Sequence, residues 1–358
     1  MKYAFLILIV AMASICLADG GMIPRHPYPI EEPSQVAVIS WDGTTETLLL
    51  STAAKPQSLS EFAWIIPVTS NTTPEVSEGN ADVITAIQEF FGAQRHNVQS
   101  MDISYGAAAT SSGITLIESK KIGIYDTMIV QADNAGRLVT WLQTEGYEVP
   151  TDVVPILRDY LGDNHYFIIN RVDLSNEFAS EINAIRQDVP EFFGLYVGEQ
   201  YQLVLNKELT DFTPGRDYGA LAEIYENAMR GGISTPLLIK FTPPEPTYPM
   251  HISSMNDGYS QVKVYLVSND PVASDTNNIL YKSRGPLSIT GELRDQIGDD
   301  FPLDGQLITE FSWSGSLSAL EEDSMFRINP GAGSDLWIYV GVFAAVVTLL
   351  AVVVYMRR

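Results

Sequence analysis

Cysteine is almost missing: the 358 residues hold one, Cys16. It sits in a leading apolar stretch, so the remaining chain cannot use disulfides, thiolate zinc or a cysteine nucleophile. Histidine is nearly as scarce, at His26, His96, His165 and His251. No two of these have the spacing of a zinc-binding H-E-x-x-H helix. The phosphate-cradling signatures G-x-x-x-x-G-K-[ST] and G-x-G-x-x-G do not occur, nor does the G-x-S-x-G elbow of serine hydrolases. Positive charge is in short supply, with 21 Lys and Arg against 44 Asp and Glu.

The two ends carry what long apolar runs there are. MKYAFLILIVAMASICLADGG opens with Lys2, continues through mostly apolar residues from Tyr3 to Leu17, and regains polarity at Asp19. That order of cation, apolar run and small residues predicts a secretory signal peptide over 1–18, cleaved after Ala18. Ile15 is too large for the lipoprotein signal that Cys16 would otherwise bring to mind. At the other end, Leu336 to Met356 is 21 residues without a charge. As a helix it would run about 31 Å, close to the roughly 30 Å of a bilayer core. Trp337, Tyr339 and Tyr355 border it, and Arg357 and Arg358 follow. The positive-inside bias then predicts a cytoplasmic tail of 357–358 and a chain that lies outside the cytoplasm from Asp19 onward. The expected protein is a single-pass type I protein of the cell membrane, with the lipid bilayer as its partner through 336–356.

All 44 acidic residues lie between Asp19 and Asp335. Three basic ones (Lys2, Arg357, Arg358) lie outside that range, which leaves 18 and a formal charge of −26. Such a field repels nucleic acid, so none is expected as a partner. Envelope proteins or glycans are the partners that an exported domain of this kind would meet.

Between the ends, short strands alternate with amphipathic helices. QVAVIS (35–40) and ETLLLST (46–52) predict a hairpin turned at Asp42-Gly43. EFAWIIPV reads as a third strand. Its Phe62, Trp64, Ile66 and Val68 fall on one face and Ala63, Ile65 and Pro67 on the other, so it is expected to be covered on both sides. Asn80 is placed to cap a helix that Gly92 ends. Residues 113–119 and 122–132 read as strands paired around Lys120-Lys121, and Asp133 reads as the cap of a helix ended by Gly146. A further helix is expected near Asp152 to Leu161, and strands over 165–173, 236–241, 249–255, 260–268 and 306–313, the last being final. The fold class predicted is α+β: mixed, mainly antiparallel sheets with several amphipathic helices, plus one C-terminal transmembrane helix. The expected domain layout is one extracytoplasmic domain over 19–313 with an insertion at 174–232, then a polar linker over 314–335.

Four stretches in order, IEEPSQVAVISWDG, EFAWIIPV with PEV, IGIYDTMIV with WLQTEGYEVP, and PLLIKFTPPEPTYPMHISSM, resemble motifs of domain of unknown function 2330. That family comprises secreted or membrane-anchored bacterial and archaeal proteins. The resemblance runs over roughly 20–275 and is weakest at 174–232. PVTSNTTPEV is longer than the family's usual loop, and DGG stands where some relatives have cysteines. The resemblance implies neither an activity nor catalytic residues.

No catalytic or cofactor-binding residue stands out. The acidic stretches SNDPVASDTNN and GDDFPLDGQLITE make Asp270, Asp275, Asp300 and Asp304 candidate ligands for calcium. In the second, Gly305 would fall at the turn of an EF-hand loop, but Pro302 and Phe311 occupy two positions that need oxygen. Asn71-Thr72-Thr73 is an N-glycosylation sequon in a turn-rich loop. Two functions are expected from these features. The first is a membrane-anchored binding or cell-surface structural module. The alternative is a cell-envelope hydrolase with an acidic-residue site, for which Asp126, Asp159 and Glu61 are the candidate carboxylates.

Overall fold

The structure, a computed structural model, describes residues 21–25, 30–56, 61–92, 114–150, 153–172, 236–256, 258–274 and 280–328. The expected signal peptide, the 174–232 insertion, Asp275 and the 336–356 segment lie outside these residues. Among the described residues no helix is long and apolar enough to cross a membrane.

The hairpin forms as expected from β2 (Ile30–Trp41) and β3 (Glu46–Pro56). Asp42 Oδ1 accepts the Thr44 and Thr45 N–H groups at 2.8 and 2.7 Å, and Gly43 takes φ +105°, so the turn is held by its own side chain. β2 then pairs in parallel with β11 (Tyr259–Ser268), which pairs antiparallel with β14 (Leu307–Ser316) and through it with the edge strand β13 (Tyr281–Ser288). On the other side β3 leads to β9 (Leu237–Phe241) and β5 (Glu75–Glu78), completing a seven-stranded sheet. A five-stranded antiparallel sheet has the order β1 (Gly21–Pro24), β4 (Phe62–Thr69), β8 (His165–Val172), β7 (Tyr125–Ala132), β6 (Ile114–Ile122). A small third sheet sets β15 (Ser324–Ile328) between β10 (Thr247–Tyr248) and β12 (Val272–Ser274).

Strand alternation sorts the side chains into three cores. Phe62, Trp64, Ile66 and Val68 of β4 meet Ala37, Ile39, Leu48, Val264 and Phe311 of the large sheet, forming the core between the sheets. Ala63 and Ile65 point the other way, under α2 (Ala135–Thr144) and α3 (Val153–Asp159). Val38, Leu49 and Tyr265 lie under α1 (Ala81–Phe90) and α4 (Gly291–Ile297). The layers are therefore helix, sheet, sheet, helix. Trp64 is fully buried with the Tyr125 ring 5.7 Å away, so β4 is the doubly covered strand that its sequence predicts.

Four local expectations need correction. The β6–β7 turn is at Gly123, with φ +51°, because a left-handed turn suits glycine; Lys120 and Lys121 stay in β6 beside Glu118 and Asp126. Asn134, not Asp133, caps α2, accepting the Arg137 N–H at 3.1 Å, while Asp133 pairs with the Arg137 guanidinium. Residues His251–Met255 form a 3-10 turn instead of a strand. Finally, β14 is not the last strand, and 314–328 is folded. Leu317, Leu320 and Phe326 are buried in the central core, and these three apolar residues among polar ones draw the segment down onto it.

Candidate functional site

The folded terminal segment meets α3 and the 3-10 turn in one cluster of titratable groups. Met250, at the N-terminal end of that turn, supplies no side-chain cap. Asp323 caps it from a distance: its Oδ1 accepts the His251 N–H at 2.9 Å and the Tyr160 hydroxyl at 2.6 Å. Burial pushes the Asp323 carboxyl up, and the Tyr160 and His251 donors work against that shift. The His251 ring is fixed at both nitrogens. Nδ1 lies 2.8 Å from the Leu320 carbonyl, an acceptor only, so Nδ1 carries a proton. Nε2 lies 3.2 Å from Asp159 Oδ2, an ion pair whenever the ring is doubly protonated. The Asp159 side chain is 66% exposed and that of His251 16%, so the pair opens to solvent on the Asp159 side. Mechanically the cluster fastens the terminal segment to α3.

Glu61 and Asp126, the other two candidate carboxylates, come to one end of the five-stranded sheet and do not join Asp159. Glu61 is ion-paired with Arg25, which also donates to the Glu145 carbonyl at 2.6 Å and lies 5.6 Å from the centre of the Tyr147 ring. Arg171 sits 3.7 Å from Glu145, and Asp126 faces it across the β7–β8 ladder with Lys121 at 3.7 Å. Burial raises the Tyr147 phenol, a shift that Arg171 and Arg25 oppose. Each of these carboxylates thus faces a cation, whereas a hydrolytic pair needs one acid kept protonated.

Of the calcium candidates, Asp270, Asp300 and Asp304 lie among the described residues and Asp275 does not. Asp300 Oδ2 accepts from Asn80 Nδ2 at 2.8 Å, at the start of α1. The Asp304 backbone N–H donates to Ser40 at 3.1 Å, and its carbonyl accepts from Asn269 beside Asp270 at 3.3 Å. The Arg294 guanidinium donates to the Leu303 and Gly305 carbonyls of the loop that holds Asp300 and Asp304. Among the described residues no three His, Cys, Asp or Glu side chains are grouped to hold a metal ion. Asn71 is exposed. Its backbone N–H binds the Thr242 carbonyl at 3.0 Å, and its side-chain oxygen accepts from Asn164.

Several of the groups just described carry no signal in the sequence. Asp323 lies in an acidic run that reads as linker, and Tyr160 and Arg171 look like ordinary ends of their elements. Glu46 opens β3 and is fully buried. Its Oε2 accepts the Thr247 N–H at 2.9 Å, while Oε1 has no partner among the described residues. Burial raises this carboxyl well above the usual range.

The model of a family described as an uncharacterized protein conserved in bacteria (DUF2330) matches residues 10–184. No curated protein and no solved structure matches the chain.

Proposed function

This chain belongs, through residues 10–184, to the DUF2330 family of uncharacterized proteins conserved in bacteria, and on that premise we propose that it is a membrane-anchored extracytoplasmic binding or cell-surface structural module. The observation that carries the reading is the position of β15. The strand ends at Ile328, seven residues before the uncharged 336–356 segment, and is built into the core on both edges. Seven extended residues reach at most about 25 Å, so a span at 336–356 would hold the body close against the bilayer. β15, paired on both edges, would then take the strain of the tether first, with the Asp323 cluster holding the chain behind it. Every acidic residue would lie on the outer side, and that agrees with the charge asymmetry of the two flanks of the span. A hydrolytic role has less support, because two of its three carboxylates are held by arginine or lysine.

Protease treatment of intact cells tests the reading. The full chain should sediment with membranes, resist carbonate extraction, and be cut from outside while a cytoplasmic marker survives. A soluble chain, or one protected in intact cells and cut only after lysis, would overturn it.

A further inference from the structure

Among the described residues, the outer face of the seven-stranded sheet is covered over only part of its length. In β11 the inward residues Val262, Val264 and Leu266 belong to the central core, while Tyr265 and Val267 lie under the helices. By alternation Tyr259, Gln261 and Lys263 continue the outward row beyond those helices. In β14, Phe311 and Trp313 face inward and Ile308 outward, so Ser312 and Ser314 share that outer face. Register then fixes the neighbours. Tyr281 of β13 stands opposite Ser312, Ser312 opposite Lys263, Ser314 opposite Gln261, and Tyr259 lies diagonally beyond.

We propose that this patch is a docking platform for a neutral, linear polysaccharide, the sugar rings lying on Tyr281 and Tyr259 and their hydroxyls meeting the polar row between. The inference rests on the reading of the chain as a binding module and names the chemical class of its partner. The two tyrosines are 60% and 48% exposed, well beyond what a phenol packed for stability shows. They flank the same strand from opposite sides, four residues apart along it. With strand spacings of about 4.8 Å and a rise of about 3.4 Å, their Cα atoms are about 17 Å apart, room for several sugar rings.

The side chains between them are hydroxyl, amide and ammonium. A protein partner calls for an apolar centre, which this patch lacks. A sugar offers an apolar C–H face for a phenol ring and a rim of hydroxyls for Ser312, Ser314, Gln261 and Lys263. Charge selects the class. The six residues include no carboxylate, and Lys263 makes no ion pair with any described residue. The surrounding chain, at −26 outside the two ends, repels acidic polymers and leaves neutral ones unhindered. The adjoining edge does not compete for an extended peptide, since β13 is interrupted by two register shifts and by Pro286, which has no N–H to offer.

Affinity electrophoresis of the detergent-solubilised full chain through gels containing hydroxyethyl cellulose, galactomannan or alginate tests the proposal. Retardation is expected in at least one neutral gel and none in alginate. Tyr281→Ala and Tyr259→Ala should each weaken the retarding association about tenfold, and the double variant should migrate as in a blank gel. Thermal melting should leave all three variants unchanged, since both rings are exposed. Free migration in both neutral gels overturns the proposal, as does retardation that survives the double substitution or that is strongest in alginate. The gels report binding regardless of which side of a membrane the chain occupies, so their failure is distinct from a failure of the protease experiment.

Discussion

Glu46→Gln probes the one fully buried carboxyl with a bare oxygen among the described residues. The Glu46 side chain is shut away from water, one oxygen holding the Thr247 N–H and the other without a partner among the described residues. Burial raises its pKa well above the ordinary 4.5, and the Thr247 bond only partly opposes this. A carboxyl raised in the folded state keeps its proton when the unfolded chain has lost it. Stability is therefore full below about 4.5 and falls as pH rises above that value, by about 1.4 kcal/mol per pH unit, until the folded-state group also ionises. Glutamine has no proton to lose. It keeps the oxygen that accepts from Thr247, but its amide N–H groups lack partners, at a cost of about 1–3 kcal/mol that does not depend on pH. The two effects separate by their pH dependence. Urea unfolding of the detergent-solubilised full chain, followed by tryptophan fluorescence from pH 4 to 8, should show the variant gaining on the parent from about pH 4.5 upward and then levelling. Other titrating groups, Asp323 included, cancel in the difference. A difference that stays flat across this range would refute the buried, raised carboxyl.

Three other outcomes follow from the packing. Trp64→Ala should cost about 3–5 kcal/mol in the same unfolding assay, because the ring is fully buried between the sheets; a loss below about 1 kcal/mol would mean an exposed ring. Tyr160→Phe removes the donor to Asp323 and should cost about 1–3 kcal/mol, with proteolysis near 317–328 accelerated in parallel. Unchanged cleavage there would contradict the fastening role of the cluster. Calcium should leave the melting temperature unchanged, since Arg294 already takes the Leu303 and Gly305 carbonyls that an ion in the 298–306 loop would use; a saturable rise would show an ion competing with the guanidinium.

Strand periodicity was the most legible part of the fold. FAWIIPV is apolar on both faces, and a strand with that pattern has to sit between two covering layers, as β4 does. The Asp42-Gly43 turn was equally plain, because its chemistry is complete within four residues. Legibility failed where the deciding contact is distant. Residues 251–255 form a 3-10 turn because Asp323, some seventy positions away, caps it, and nothing local to PMHISSM announces that partner. Leu317, Leu320 and Phe326 are too sparse to show a period, so a segment that closes the core looks like a tether.

The same distinction applies to the candidate site. Asp159 was recognisable as an acid, but what separates it from Glu61 and Asp126 is which group stands opposite. Glu61 and Asp126 face Arg25, Arg171 and Lys121, and Asp159 faces a histidine whose other nitrogen is already committed to a carbonyl. The cluster joins residues from the family-matched half, Asp159 and Tyr160, to residues beyond it, His251, Leu320 and Asp323. The C-terminal segment is therefore a structural partner of that half. A truncation made before Leu317 on the expectation of a linker would strip three side chains from the central core, and with them the cap that shapes the 251–255 turn.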